Sequence, residues 1–179
     1  LIYDGPFSDH LVTAEPRGIT GDEMDAEEVK QKVIDFFGAD KVQSVENINR
    51  NDTDPIKTYG YEVTFKNDPE GQKATIGMTQ KGGHPIWMIY PRTVGEKTVD
   101  VDTAKKIGKD FLENRGFPSM VDTYYIKEDN TATINYAYKQ ENVTIYPDLI
   151  KLKIALDTGE IIGFEAKGYL SAHTDRDIP

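Results

Sequence analysis

The chain has 179 residues, 37% hydrophobic and 10% aromatic, which suits one ordinary domain or two small ones and is too apolar for disorder throughout. Acidic residues number 31 against 21 basic, and the net charge of −10 argues against binding nucleic acid or anionic lipid by electrostatics. Cysteine is absent, which removes disulfides, thiolate metal sites and cysteine nucleophiles, and no run reaches the ~18 apolar residues of a bilayer span.

Leu1 to Arg17, with Gly5-Pro6 and Pro16, reads as a linker or the end of a preceding region. The chain starts at Leu1 and its first methionine is Met24, so a piece of a longer protein or a processed product is expected. A first unit is expected over residues 18–92. Asp25 stands where an N-cap should, Glu28 completes a capping box, and Ala26, Val29, Val33, Phe36 and Phe37 recur at helical spacing up to a stop at Gly38. Val42–Ile48 reads as a first strand, and Tyr59, Tyr61, Val63 and Phe65 alternate along a second. Ala74–Met78 and Ile86–Tyr90 then pair across a loop containing Lys81-Gly82-Gly83.

After a short Thr93-Val94-Gly95 connection the same order returns, so a second unit is expected over residues 96–170. Met24-Asp25-Ala26-Glu27-Glu28-Val29-Lys30 matches Val99-Asp100-Val101-Asp102-Thr103-Ala104-Lys105 at an offset of 75, and Asp35-Phe36-Phe37 matches Asp110-Phe111-Leu112 at the same offset. Val101, Ala104, Ile107, Phe111 and Leu112 form the second helical stripe, with Gly116 as its stop. Val121–Lys127 reads as a strand, Ala132, Ile134, Tyr136 and Tyr138 alternate, and Leu149–Leu156 pairs with Glu160–Ala166 through the Asp157-Thr158-Gly159 turn. The fold class predicted is α+β: two modules, each one helix on a three- or four-stranded antiparallel sheet. Ser171–Pro179 is expected to be a linker, with room for a third module beyond it.

The hairpin Lys153-Ile154-Ala155-Leu156-Asp157-Thr158-Gly159-Glu160-Ile161-Ile162 resembles the closing hairpin of a PepSY module. More specific are Tyr3-Asp4-Gly5-Pro6-Phe7-Ser8-Asp9-His10, Tyr146-Pro147-Asp148-Leu149-Ile150-Lys151, Gly163-Phe164-Glu165-Ala166-Lys167-Gly168-Tyr169 and Arg176-Asp177-Ile178-Pro179. Together they resemble the C-terminal region of the YpeB family of spore germination proteins. That resemblance implies tandem PepSY modules held outside the inner spore membrane of an endospore, with an N-terminal anchor elsewhere in the parent protein. It implies no catalytic residues and no cofactor, and a partner in the cortex-lytic enzyme SleB, which the protein would stabilise and localise, with inhibition as a further role. It also implies cutting by a protease during germination. A protease inhibitor or propeptide-like regulator is the alternative, because PepSY modules also occur in peptidase propeptides.

The residues themselves support no catalytic or metal site. His10, His84 and His173 fall in the head, a hairpin loop and the tail, without metal-binding spacing, and His173-Thr174-Asp175 would sit in a tail too loose to orient a base. Asn49-Arg50-Asn51-Asp52-Thr53-Asp54 offers alternating oxygens, yet has Asp54 at the sixth position and Gly60 at the twelfth, unlike an EF-hand, so it reads as a solvated loop. Asn51-Asp52-Thr53 and Asn142-Val143-Thr144 match glycosylation sequons by chance. The carboxylates lie on helix starts and turns, not in the facing pair a glycosidase requires. In a regular strand Trp87 and Tyr90 would fall on opposite faces, which makes one a candidate partner contact, but Trp87 is expected in the core or at the contact between modules. Docking is expected at a sheet edge or in the groove between modules.

Overall fold

A computed structural model describes residues 16–174 and residue 176. Helix α1 (Ala26–Phe37) begins at Asp25, whose Oδ1 accepts from the Glu28 N–H at 2.8 Å while Glu28 Oε1 accepts from the Asp25 N–H at 2.9 Å. This is the capping box expected from the sequence, and it satisfies two N–H groups that helix geometry leaves open. Strands β1 (Val42–Asn51), β2 (Thr58–Phe65), β3 (Ala74–Thr79) and β4 (Pro85–Ile89) follow. The order then repeats with α2 (Val101–Asn114), β5 (Met120–Glu128), β6 (Thr131–Gln140), β7 (Val143–Ala155) and β8 (Ile161–Glu165), before a short α3 (Lys167–Ala172). The class is the α+β fold predicted, with four antiparallel strands for each helix.

The two sets of strands join. Their order is β1-β2-β3-β4-β8-β7-β6-β5, a single eight-stranded sheet in which the last strand of each repeat meets the other at the centre. Trp87, Met88 and Ile89 lie opposite Glu165, Phe164 and Gly163 at that seam. Tyr61, Ile76, Met88, Phe164, Leu152 and Ile134 therefore form one row across six strands, each no more than 3% exposed. Both helices cover this face. Tyr61 on β2 and Tyr136 on β6 reach the helices above them, their hydroxyls donating to the carbonyls of Ala26 (2.7 Å) and Lys105 (2.8 Å). Burial raises both phenols above their ordinary pKa.

The second helix buries Ala104 and Leu112 of the expected stripe and adds Gly108 between them. Ala104, Gly108 and Leu112 face the sheet, whereas Ile107 and Phe111 are half-buried beside α1. Gly108 is the reason: Tyr136 Oη stands where a Cβ at that position would go, so the helix rests directly on the tyrosine. Helix α3 was not expected, because its N-cap, Ala166, provides no side-chain acceptor and only Tyr169 and Leu170 among its residues are buried. Ser171 and Ala172, assigned to a linker by the sequence, complete that helix.

The connection between repeats is tied to the second repeat. Arg92 Nε donates to Glu160 Oε1 at 2.7 Å, and its Nη atoms reach both Asp157 oxygens at 2.9 Å. Asp157 Oδ2 also accepts from the Gly95 N–H at 2.8 Å. The turn that holds Asp157 closes through Gly159 at φ 85°, a conformation that penalises a Cβ. The Val99 N–H donates to Leu156 O, just as the Met24 N–H donates to Gln80 O in the first repeat, so each hairpin receives the segment leading into its own helix.

Candidate functional site

The residues singled out by sequence are dispersed. His10 and Asp175 lie outside the described residues. His84 Nε2 contacts Thr20 O at 2.7 Å and fastens the segment before α1 to the β3–β4 hairpin. In the Asn49–Asp54 loop the carboxylates are already engaged: Arg50 Nε donates to Asp52 Oδ2 at 2.9 Å, Gln80 Nε2 to Asp52 Oδ1 at 2.7 Å and Asn51 Nδ2 to Asp54 Oδ2 at 3.0 Å. Asn142 sits in the turn between β6 and β7. Tyr90 is buried and its hydroxyl donates to Asp68 Oδ2 at 2.6 Å, which helps hold that carboxyl below its ordinary pKa. Trp87 is half-buried with its indole over Gly77, so the exposed apolar residue of β4 is neither aromatic but Ile89, 59% exposed.

His173 corrects the reading of a loose tail. Its Nδ1 lies 2.8 Å from Oδ2 of Asp148, a fully buried carboxylate, and its ring stacks on Tyr169 at 4.3 Å between centroids. Arg176 grips both oxygens of Asp148 at 2.8 and 2.9 Å, and Arg176 O accepts from Gln140 Nε2. A buried carboxylate needs such partners, and a bidentate guanidinium is the strongest available from a side chain. The Tyr169 hydroxyl in this cluster is pushed up to about 12 by burial and by the charge of Asp148. The sequence signal was an acid in the strand segment Tyr146-Pro147-Asp148-Leu149; its partners, 25 and 28 positions away, were invisible to local spacing.

The surface that differs most between the repeats is the sheet edge. β1 and β5 are the outermost strands, and both are bulged: β1 between Val42 and Ser44 and between Asn47 and Asn49, β5 between Asp122 and Tyr124. Beyond these bulges β1 presents Asn49, Arg50 and Asn51, whereas β5 presents Tyr124, Tyr125 and Ile126. These three are 61%, 43% and 48% exposed. Tyr124 and Ile126 pair with Asn135 and Thr133 and so point to the face opposite the helices, while the Tyr125 ring lies under Lys105 Nζ at 4.7 Å. Among the described residues nothing pairs with the outer side of β5. Apart from Ile48 at its bulge, 44% exposed, β1 presents polar side chains of the kind that keep an edge from recruiting another strand, whereas on β5 the charges of Asp122, Lys127 and Glu128 flank an exposed apolar run.

The architecture is that of a tandem PepSY protein, two helix-and-four-strand repeats fused edge to edge. A family model described as YpeB sporulation, PepSY1 and PepSY2 domains matches residues 1–179, and the chain belongs to that family. The solved C-terminal domain of YpeB from Bacillus megaterium superposes with a TM-score of 0.79 at 29% identity, over 89% of this chain and 70% of that one. The sporulation protein YpeB of Halalkalibacterium halodurans is 34% identical over 85% of this chain, and that of Bacillus subtilis 35% identical over 66%. The chain spans only 33% and 27% of the length of those two relatives. Family membership supports a role in sporulation and an association with spores.

Proposed function

We propose that this chain is the partner-holding portion of a non-catalytic spore protein that keeps the cortex-lytic hydrolase SleB in place and stable, outside the inner spore membrane, before and during germination. The observation that carries the reading is the exposed Tyr124-Tyr125-Ile126 run on β5, an outermost strand with no partner on its outer side among the described residues. An extended segment of the hydrolase would add to β5 as a further strand, its backbone supplying affinity and its side chains meeting Tyr124 and Ile126. The test is calorimetric titration of the 179-residue chain with purified SleB. Saturable binding is expected. Tyr124→Lys with Ile126→Lys should weaken it by about tenfold or more, the loss typical of a disrupted anchor cluster. Asn49→Lys on β1 should leave it unchanged. Absence of heat with the unaltered chain, or equal weakening by both variants, would remove β5 from the docking surface.

A further inference from the structure

On the helix-covered face, over the seam between the repeats, α1 and α2 leave a cavity of about 490 Å³. That volume lies within the range of small-molecule sites. Phe37, Phe65, Ile107 and Phe111 form its apolar wall, and Lys41 and Arg115 stand beside them. Phe37 meets Phe65 edge-on at 5.2 Å between centroids, and the Arg115 guanidinium carbon sits 4.5 Å from the centre of the Phe111 ring.

Arg115 is half-buried and lacks an acid. Its Nε donates to Phe36 O at 2.7 Å, and among the described residues neither Nη atom has a hydrogen-bond partner. No described carboxylate forms an ion pair with Arg115 or Lys41. Glu160 also lines the cleft, but its carboxylate is drawn to Arg92, so among the described residues the two cations beside the aromatic wall have no acid of their own. Arg50, Arg92 and Arg176 each face an acid that raises their pKa, whereas burial alone acts on Arg115 and lowers it. A planar guanidinium with two free N–H-bearing nitrogens is matched to a carboxylate.

We propose that this cleft binds a small monocarboxylic acid with an aromatic or branched aliphatic body, the carboxylate on the Arg115 fork and the body against Phe37, Phe65 and Phe111. The site is separate from the β5 edge and independent of any protein docked there. Lys41, exposed at the rim, adds a second attraction for the anion. The occupant is one that no described residue provides: an anion small enough to fit between two helices and apolar enough to leave water.

The experiment follows backbone amide resonances of the 15N-labelled 179-residue chain during titration with N-acetyl-L-phenylalanine and, separately, with its uncharged amide. Shifts are expected at Phe37, Lys41, Phe65, Phe111 and Arg115, with the acid saturating at about tenfold lower concentration than the amide, as a lost charge-assisted hydrogen bond predicts. Lys41→Glu, at an exposed position, should weaken the acid and leave the amide unchanged. Arg115→Gln should abolish the preference for the acid, and it is interpreted only if its amide spectrum retains the native dispersion. Equal binding of acid and amide, shifts centred elsewhere, or no shift would each overturn the proposal. So would a hexapeptide ending in free phenylalanine that bound about tenfold tighter than the single amino acid, since that would make the cleft a docking site for a chain end.

Discussion

Asp157 joins the two repeats through one side chain. It accepts from both Nη atoms of Arg92, the last ordered cation of the first repeat, and from the Gly95 N–H. Those donors, Arg92 foremost, hold its carboxyl well below the ordinary carboxylate range. A carboxyl depressed on folding stabilises the protein above its unfolded pKa, and the contribution is lost as pH falls through the folded value. Urea unfolding followed by the fluorescence of Trp87 should therefore show stability falling as pH drops below about 4, the unfolded Asp value. Asp157→Asn should cost about 2 kcal/mol at pH 7, the range for hydrogen bonds to charged groups. It should also flatten the acid limb, and an unchanged limb would mean that other carboxyls control it. At this scale the sequence disclosed Asp25, Glu28 and Asp100, because a cap is completed within three residues. It did not disclose Asp148, which is fully buried and whose partners come from the tail. Arg176→Ala should destabilise by about 2–4 kcal/mol in the same assay, since it leaves that carboxylate with His173 alone.

The two repeats set their helix-bound tyrosines at different heights on the sheet. Tyr61 and Tyr136 are 75 positions apart, but the carbonyls they reach, at Ala26 and Lys105, are separated by four residues more. Across the seam Tyr61 is matched by Ile134, and Tyr136, two positions further along the strand, by Val63. Tyr136 therefore meets its helix one turn later, where Gly108 rather than the Val33 of α1 leaves room for the phenol. Gly108→Ala should raise helix propensity by about 1 kcal/mol. It should nevertheless destabilise the protein by about 1–3 kcal/mol, because a methyl group there collides with a rigid phenol. Thermal unfolding by circular dichroism decides between the two; a raised Tm would show that α2 can shift without loss. The helical stripes were legible from spacing, but the place of Gly108 among the residues turned to the sheet was not. A glycine carries no hydrophobic signal, so the contact it permits is recorded only by the tyrosine opposite.

The continuous sheet makes the two repeats mechanically one body. Phe36 of α1 packs edge-on against Phe111 of α2 at 5.4 Å and against Phe164 of β8 at 5.2 Å, so the aromatic core crosses the seam along with the hydrogen bonds of β4 and β8. Unfolding should be a single cooperative transition. Ile134→Ala, fully buried in the second repeat, should cost about 2–5 kcal/mol and lower the urea midpoint reported by Trp87 in the first repeat. A Trp87 midpoint unmoved by that change would show that the repeats unfold independently.

Local pattern determined the two helices and their caps, most of the strands, the acidic surface and the repeat itself. Each of those depends on side-chain spacing within a dozen residues or on a comparison at fixed offset, which a linear sequence contains. The tertiary structure decided that β4 and β8 fuse the repeats, that Asp148 captures His173 and Arg176, and that Arg115 stands in a cleft between α1 and α2 with no ion-pair partner among the described residues. It also decided the meaning of Tyr124-Tyr125-Ile126, which in sequence is only a good strand and in the fold becomes an exposed edge. Such properties depend on which surfaces remain after distant segments have paired, and no local interval of the chain contains that information.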